Sequence, residues 1–477
     1  MSDKATSSSL LRALPSVDAL LRTETARGLR DAVGAEHLTR LARAVTEELR
    51  ADMRAQAASL TDGNGASTRD ALLAEAARRL EQSLRRELEG GVRHVINASG
   101  VVLHTNLGRA PLSEAARQAL TNEAARYCAL EYDVQTGERG RRGARVEQLL
   151  AELTGAEDAL VVNNCAAAAL LILTTLARGG EAIVSRGELV EIGGDFRVPD
   201  VMAQSGTRLV EVGTTNRTRL DDYRRAVTEQ TRLLMRVHPS NYRIVGFTST
   251  PALSELAALA RESLLPLYED AGSGALVDLR RYGLEGEPVI SESVASGADL
   301  VSFSGDKLLG GAQAGLIVGR RPLVKLLRKH PLYRALRADK LALVALEATL
   351  DAHRRAAAFT EVPALRMLAM TEAEIHARAS GLLQRLRESA AANHLRCELT
   401  EGVSAIGGGA APTTRLPTTL IALTHARLSA DALEEVLRRS TPPVIARISE
   451  SKVMLDLRTV ATDEEAALLE TLAAIAA

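Results

Sequence analysis

Residues 301–311 read Val301-Ser302-Phe303-Ser304-Gly305-Asp306-Lys307-Leu308-Leu309-Gly310-Gly311. An apolar, strand-like run ends at Phe303, and Lys307 follows between a Ser-Gly-Asp turn and two glycines. A lysine in this setting suits condensation with an aldehyde, which pyridoxal phosphate (PLP) enzymes require of one lysine amine. The segment alone fits an ordinary exposed lysine in a strand–loop equally well, so the rest of the chain has to decide.

Composition favours a soluble protein of two or three domains. The chain has 477 residues, of which 46% are hydrophobic, 25% charged and 2% aromatic, so aliphatic side chains must build its core. A net charge of −1 gives no support for a nucleic-acid partner, although a local basic patch remains compatible with it. Cys128, Cys165 and Cys397 have no metal-type spacing, which favours a reduced, cytoplasmic setting. We find no signal peptide and no membrane-spanning segment.

The order of strand-like and helix-like runs predicts an α/β fold with a mostly parallel sheet and its ligand crevice at the carboxyl ends of the strands. The predicted strands are about 158–163, 181–185, 207–212, 232–237, 265–269, 299–303 and 314–319. The predicted helices between and around them include about 113–126, 144–154, 165–178, 219–228 and 252–262.

Four regions follow from this pattern. Residues 1–68 form a helical domain, 69–95 a linker helix, 96–345 the large α/β domain, and 346–477 a smaller α+β domain. In the last region the predicted strands are about 416–423, 444–448 and 453–457, with helices at about 429–439 and 462–475. On physical grounds alone, the charge-balanced N-terminal block is best interpreted as a packing or oligomerisation module.

Two further segments predict parts of a PLP site. The strand ending at Asn163 turns into an Ala-rich helix, whose first N–H groups, on Asn164, Cys165 and Ala166, can hold a phosphate. Asp270 ends another predicted strand, where a carboxylate can keep a pyridine nitrogen protonated. The order of a phosphate turn, an aspartate and then Lys307 along the chain indicates a PLP site far more specifically than any one of these three features does alone.

Hydroxyl groups of Ser302 and Ser304 can add contacts to the phosphate, and glycines after Lys307 allow close backbone approach. His238 and Asn241, at another strand end, are weaker candidates for contact with the cofactor ring. We considered Cys165 as a nucleophile, but no His/Asp arrangement supports that role.

The chain resembles the bacterial selenocysteine synthase family, the L-seryl-tRNA(Sec) selenium transferases of the fold type I PLP class. The resemblance covers nearly the whole chain, including the N-terminal block. It rests on motifs at residues 14–18, 96–112, 131–133, 153–157, 163–164, 185–194, 240–242, 301–311 and 455–460. In the phosphate turn Cys165 stands where the family usually has a third Asn, and Ala410 stands where Ser is expected.

The resemblance implies a reaction and its partners. Seryl-tRNA(Sec) would undergo PLP-dependent β-elimination through an aminoacrylate, and selenium from selenophosphate would then add. Lys307 would be the catalytic base, and the N-terminal block would bind the tRNA. The family also implies a homo-oligomer, a ring-shaped decamer built as a pentamer of dimers. Arg109, Arg334 and Arg337 would bind selenophosphate, supported by Asp306.

Two other functions remain open at this stage. A PLP-dependent lyase acting on a small free amino acid would resemble the core, but such relatives generally lack the N-terminal block. A catalytically inactive RNA-binding scaffold would not need to retain both Lys307 and Asp270. The role of Arg447 is undecided, because an aminoacyl ester offers no free carboxylate for it to bind.

Overall fold

A computed structural model describes residues 14–59, 69–193, 196–389 and 394–476 of the chain. It forms two compact units, Met1–His94 and Val95–Ala477. None of the helices in these ranges is long and apolar enough to cross a membrane.

The N-terminal unit is a helical bundle. Ser16 begins it, since its hydroxyl accepts from the N–H of Ala19 at 3.1 Å and caps the first helix. Helix α4, which we predicted as a linker, contributes Ala76 and Leu80 to the same apolar core as Leu38 and Leu49 of α3. The sequence also offers Ser67 or Thr68 as a cap for α4, and both lie outside the described residues. The helices are α1 Val17–Leu21, α2 Glu24–Val33, α3 Ala35–Ser59 and α4 Arg69–Glu89.

The second unit is built on a seven-stranded sheet of order β2-β10-β9-β8-β7-β3-β6. Strand β10 runs antiparallel to both neighbours, and the other pairs are parallel. The carboxyl ends of the parallel strands therefore share one edge, where β2, β9 and β8 end close together. The strands are β2 Asp158–Val162, β3 Glu181–Ser185, β6 Arg208–Val212, β7 Thr231–Val237, β8 Leu267–Gly272, β9 Leu300–Ser304 and β10 Gly315–Gly319.

Helices cover both faces of this sheet, and their packing produces two large clusters of buried aliphatic side chains. The helices are α5 Glu114–Ala124, α6 Ala144–Thr154, α7 Cys165–Leu176, α8 Val198–Ser205, α9 Leu220–Ala226, α10 Leu253–Glu262, α11 Ile290–Ala295, α12 Arg321–Lys329, α13 Pro331–Ala335, α14 Lys340–Arg354, α15 Ala358–Glu361 and α16 Pro363–Ala369. A short hairpin, β4 Glu191–Ile192 and β5 Phe196–Arg197, precedes α8.

The C-terminal region carries a four-stranded antiparallel sheet of order β11-β12-β15-β14. Its first strand was not predicted, and the predicted boundary at 345 falls inside α14. The strands are β11 Leu395–Ser404, β12 Leu416–His425, β14 Arg447–Ser449 and β15 Lys452–Asp456, and the helices are α17 Glu372–Ser389, α18 Ala430–Arg438 and α19 Glu465–Ala476.

The segment that opens the second unit is tied to the end of the chain. Strand β1, Ile96–Asn97, pairs in parallel with β13, Val444–Ile445. The N–H of Gly100 donates to the hydroxyl of Thr459 at 3.1 Å, and the fully buried Asp456 leaves no room for a side chain at Gly100. We call this contact of residues 96–100 with residues 444–460 the end-to-end latch.

Candidate active site

The predicted phosphate turn lies between β2 and helix α7. Asn164 caps helix α7, because its side-chain oxygen accepts from the N–H of Ala167 at 2.8 Å. The N–H groups of Cys165 and Ala166 have no acceptor in the described part of the chain, so they remain available to an anion at this helix start. Gly315 of β10 permits this, since a side chain there would meet the Asn164 carbonyl.

Asp270 lies at the carboxyl end of β8 and is buried. Its Oδ1 atom accepts from the Ser302 hydroxyl at 3.1 Å and from the Cys165 thiol at 3.6 Å. Burial raises the pKa of Asp270, while the Ser302 hydroxyl and the Lys307 ammonium oppose that rise. The neighbouring Glu269 points away, to Ser293 of α11, because side chains alternate between the two faces of a strand.

Lys307 follows β9 and is 5% exposed. It shares a cavity of about 290 Å³ with the groups just described. Ile192, Gly193 and Gln313 also line it, and no feature of the sequence marked Gln313. The lining residues are Arg109, Asn164, Cys165, Ala166, Ile192, Gly193, Asp270, Gly272, Ser304, Asp306, Lys307 and Gln313.

Ser302 does not have the position that we predicted for it. It is fully buried below the cavity, where its hydroxyl bonds to Asp270 and to the Tyr268 phenol, 2.8 Å away. A contact to the phosphate is therefore a wrong assignment for Ser302. Only Ser304, two residues further along β9, reaches the cavity.

Arg109 and Asp306 meet at the cavity wall, with Nη1 of the arginine 2.6 Å from Oδ2 of the aspartate. Arg109 has a positive φ of 60°, a backbone conformation that few non-glycine residues adopt. The ion pair leaves part of the guanidinium free, since its Nε has no hydrogen-bond partner among the described residues.

The other predicted anion ligands are not at this cavity. Arg337 lies 3.4 Å from Glu131, which also pairs with Arg139 and Arg142. Arg334 is exposed on α13. Of the predicted trio, only Arg109 lines this cavity in a single chain.

Asn241 and His238 also lie outside the cavity lining. The Asn241 amide donates to the carbonyl of Glu191 at 2.7 Å, and the His238 backbone N–H donates to the carbonyl of Asp270 at 2.9 Å. Both therefore support the walls of the site. Arg447 donates to the carbonyl of Val403 at 2.8 Å, a contact within the small sheet.

The donor set fits PLP. One enclosed space offers an amine for its aldehyde, a buried carboxylate for its ring nitrogen, and free N–H groups at a helix start for its phosphate. This site, on a parallel sheet with a single reversed strand, defines a fold type I PLP-dependent enzyme. The solved structure of D-glucosaminate-6-phosphate ammonia-lyase matches 82% of this chain and 98% of its own, with a TM-score of 0.55 and 23% identity.

The particular family follows from the sequence comparisons. A profile of L-seryl-tRNA selenium transferase matches residues 95–461, and one of the selenocysteine synthase N terminus matches 11–50. L-seryl-tRNA(Sec) selenium transferase of Geobacter sulfurreducens is 48% identical over 97% of this chain and 98% of its own. That of Moorella thermoacetica is 48% identical over 96% and 95%. The chain belongs to the L-seryl-tRNA(Sec) selenium transferase family.

Proposed function

We propose that this chain converts L-seryl-tRNA(Sec) to L-selenocysteinyl-tRNA(Sec), with PLP as cofactor and selenophosphate as selenium donor. The observation that carries the proposal is the meeting of Lys307, Asp270 and the Cys165–Ala166 turn in one cavity of a chain with full-length transferase relatives. The N-terminal unit, which matches the selenocysteine synthase N-terminal profile, is the proposed tRNA-binding part.

Bound PLP supplies an electron sink for the negative charge that develops at the serine Cα. The N–H groups of Cys165 and Ala166 would hold its phosphate. Asp270 would accept a hydrogen bond from its ring nitrogen and keep the proton there. Lys307 removes the Cα proton, and its burial keeps bulk water from that proton.

Arg109 supplies hydrogen-bond donors for the oxyanions of the selenium donor, and Asp306 fixes its direction. We further propose that Arg334 and Arg337 act in a homo-oligomer, the ring of dimers expected for the family, where loop 125–143 meets another copy. The strong exposure of Tyr127 (106%) and Val134 (71%) on that loop supports this proposal. A cytoplasmic location suits three cysteines that form no disulfide.

The test is spectroscopic. The purified chain should take up PLP and gain a visible absorbance band, and Lys307→Ala should lack that band. Seryl-tRNA(Sec), but not free serine, should then change the spectrum. A change with free serine only would indicate a lyase for small amino acids, and a chain that takes up no PLP would be a scaffold.

A further inference from the structure

A second pocket lies on the same edge of the large sheet as the PLP cavity. It encloses about 170 Å³ beyond the carboxyl ends of β3, β6 and β7. Hydroxyl groups dominate its wall, and those of Thr215, Thr248, Ser249 and Thr250 make no side-chain hydrogen bond within the described ranges. Such a wall offers donors and acceptors to a polar ligand.

Two arginines line this pocket without an acidic partner. Arg217 and Arg243 form no ion pair with any described residue. By contrast, Arg186, directly after β3, pairs with Glu211, and Arg197 of β5 pairs with Glu191. The pocket therefore keeps positive charge that the adjoining surface neutralises, which favours an anionic ligand.

The loop at the pocket rim exposes apolar side chains. Phe247 is 88% exposed and Val245 is 84% exposed. The chain has only four phenylalanines, and Phe303 lies fully buried in the sheet. An exposed aromatic ring beside unpaired arginines is the combination on which an unstacked base of RNA binds.

The pocket is joined to the PLP cavity by residues 186–193. Gly187 packs on Thr215 at the pocket, where no side chain would fit, and Ile192 and Gly193 line the cavity. Strand β3 lies two places from β8, the strand of Asp270, a separation of about 10 Å. A ligand held in the pocket can thus extend toward Lys307.

We propose that this pocket binds the 3′-terminal nucleotide of the charged tRNA, with its base on Phe247 and its phosphate between Arg217 and Arg243. The inference rests on the proposed function, since a serine ester reacts only if the nucleotide carrying it is held at a fixed distance from Lys307. It assigns the acceptor end of the tRNA to the large sheet, separately from the N-terminal unit.

The experiment measures the affinity of the full-length protein for uncharged tRNA(Sec) with and without its 3′-terminal nucleotide. Removing the nucleotide should weaken binding to the wild type about tenfold, and should have little effect on Phe247→Ala or Arg243→Ala. The matched controls are Val436→Ala, exposed on α18, and Arg439→Ala, exposed directly after that helix. Removing the nucleotide should weaken their binding as much as it weakens that of the wild type.

The proposal is overturned if Phe247→Ala distinguishes the two tRNAs as well as the wild type does. It is also overturned if Phe247→Ala changes only the mass of the oligomer, since the loop would then contact a second copy. A third contrary result is that inorganic phosphate competes equally with both tRNAs, since the pocket would then not hold the terminal nucleotide. PLP uptake, read from absorbance in the same samples, tests the catalytic function separately.

Discussion

Asp270 depends on a chain of hydrogen bonds with a fixed direction. The Ser302 hydroxyl donates its single proton to Asp270, and the Cys165 thiol donates to the same oxygen. The Ser302 oxygen is then left to accept from the Tyr268 phenol, which keeps its proton because burial holds its pKa well above the ordinary value. These donors favour the ionised carboxylate that burial disfavours.

Ser302→Ala should therefore weaken PLP binding about tenfold, since a hydrogen bond to a charged group is lost. Without the hydroxyl the pKa of Asp270 rises further. The Asp270 carboxylate must be ionised to hold the ring nitrogen. PLP therefore binds tightly above the pKa of Asp270, and its affinity is lost as pH falls through that pKa. The acid limb of PLP affinity should move to higher pH, measured by absorbance titration.

Ser254→Ala, on the exposed face of α10, is the matched control and should bind PLP like the wild type at every pH. A Ser302→Ala variant with lower affinity but an unmoved pH profile would mean that the hydroxyl serves packing only.

The three cysteines should differ in reactivity. Burial, followed by the charge of Asp270, raises the pKa of Cys165, and burial raises that of Cys397 to about 11. Because the thiolate is the reactive form, iodoacetamide at about pH 8 should modify Cys128 first, as read from peptide masses. Cys128→Ser should remove the fast phase, and rapid labelling of Cys165 in that variant would contradict the raised pKa of its thiol.

At the scale of elements, the end-to-end latch is sensitive to one methyl group. Gly100 has a φ of 74°, and an added Cβ would lie 2.3 Å from Oδ2 of Asp456. Gly100→Ala should lower the free energy of unfolding by about 3 kcal/mol, measured with urea. Gly381→Ala, inside α17 with open space around it, should instead raise it by up to about 1 kcal/mol. Equal effects of the two substitutions would contradict this reading of the latch.

Most strands of the large sheet were predictable because both of their faces are buried. Strands such as β2 and β10 are therefore nearly continuous apolar runs. Strand β11 was missed because it is an edge strand with one exposed face, on which Arg396 and Glu398 interrupt the apolar pattern.

The site was predictable where a strand end alone sets the position. Lys307 and the Cys165 turn each follow a parallel strand, and Asp270 lies near the carboxyl end of another, so their meeting follows from the topology. The sequence analysis placed the Ser302 and Arg337 side chains at the anion site, but the structure turns each toward a partner distant in sequence. Ser302 bonds to Asp270, and Arg337 pairs with Glu131. No local pattern encodes those pairings.

At the scale of the whole molecule, the apolar core of the N-terminal unit consists of its own residues, such as Leu20 and Leu80. A variant lacking residues 1–94 should therefore still bind PLP, while its affinity for tRNA(Sec) should fall at least about tenfold. Absorbance and a tRNA binding titration measure the two properties. If the truncated chain binds tRNA as the full chain does, the N-terminal unit has no role in binding it.

The end-to-end latch also sets an order of events during translation. Gly100 and Thr459 are separated by 359 positions, so the ribosome has made the phosphate turn, Asp270 and Lys307 long before the latch can close. Strand β15 pairs with both β12 and β14, and it emerges after all of these residues. A chain that stops before β15 would thus carry Lys307, Asp270 and the Cys165 turn without a closed small sheet, and we expect proteases to degrade it.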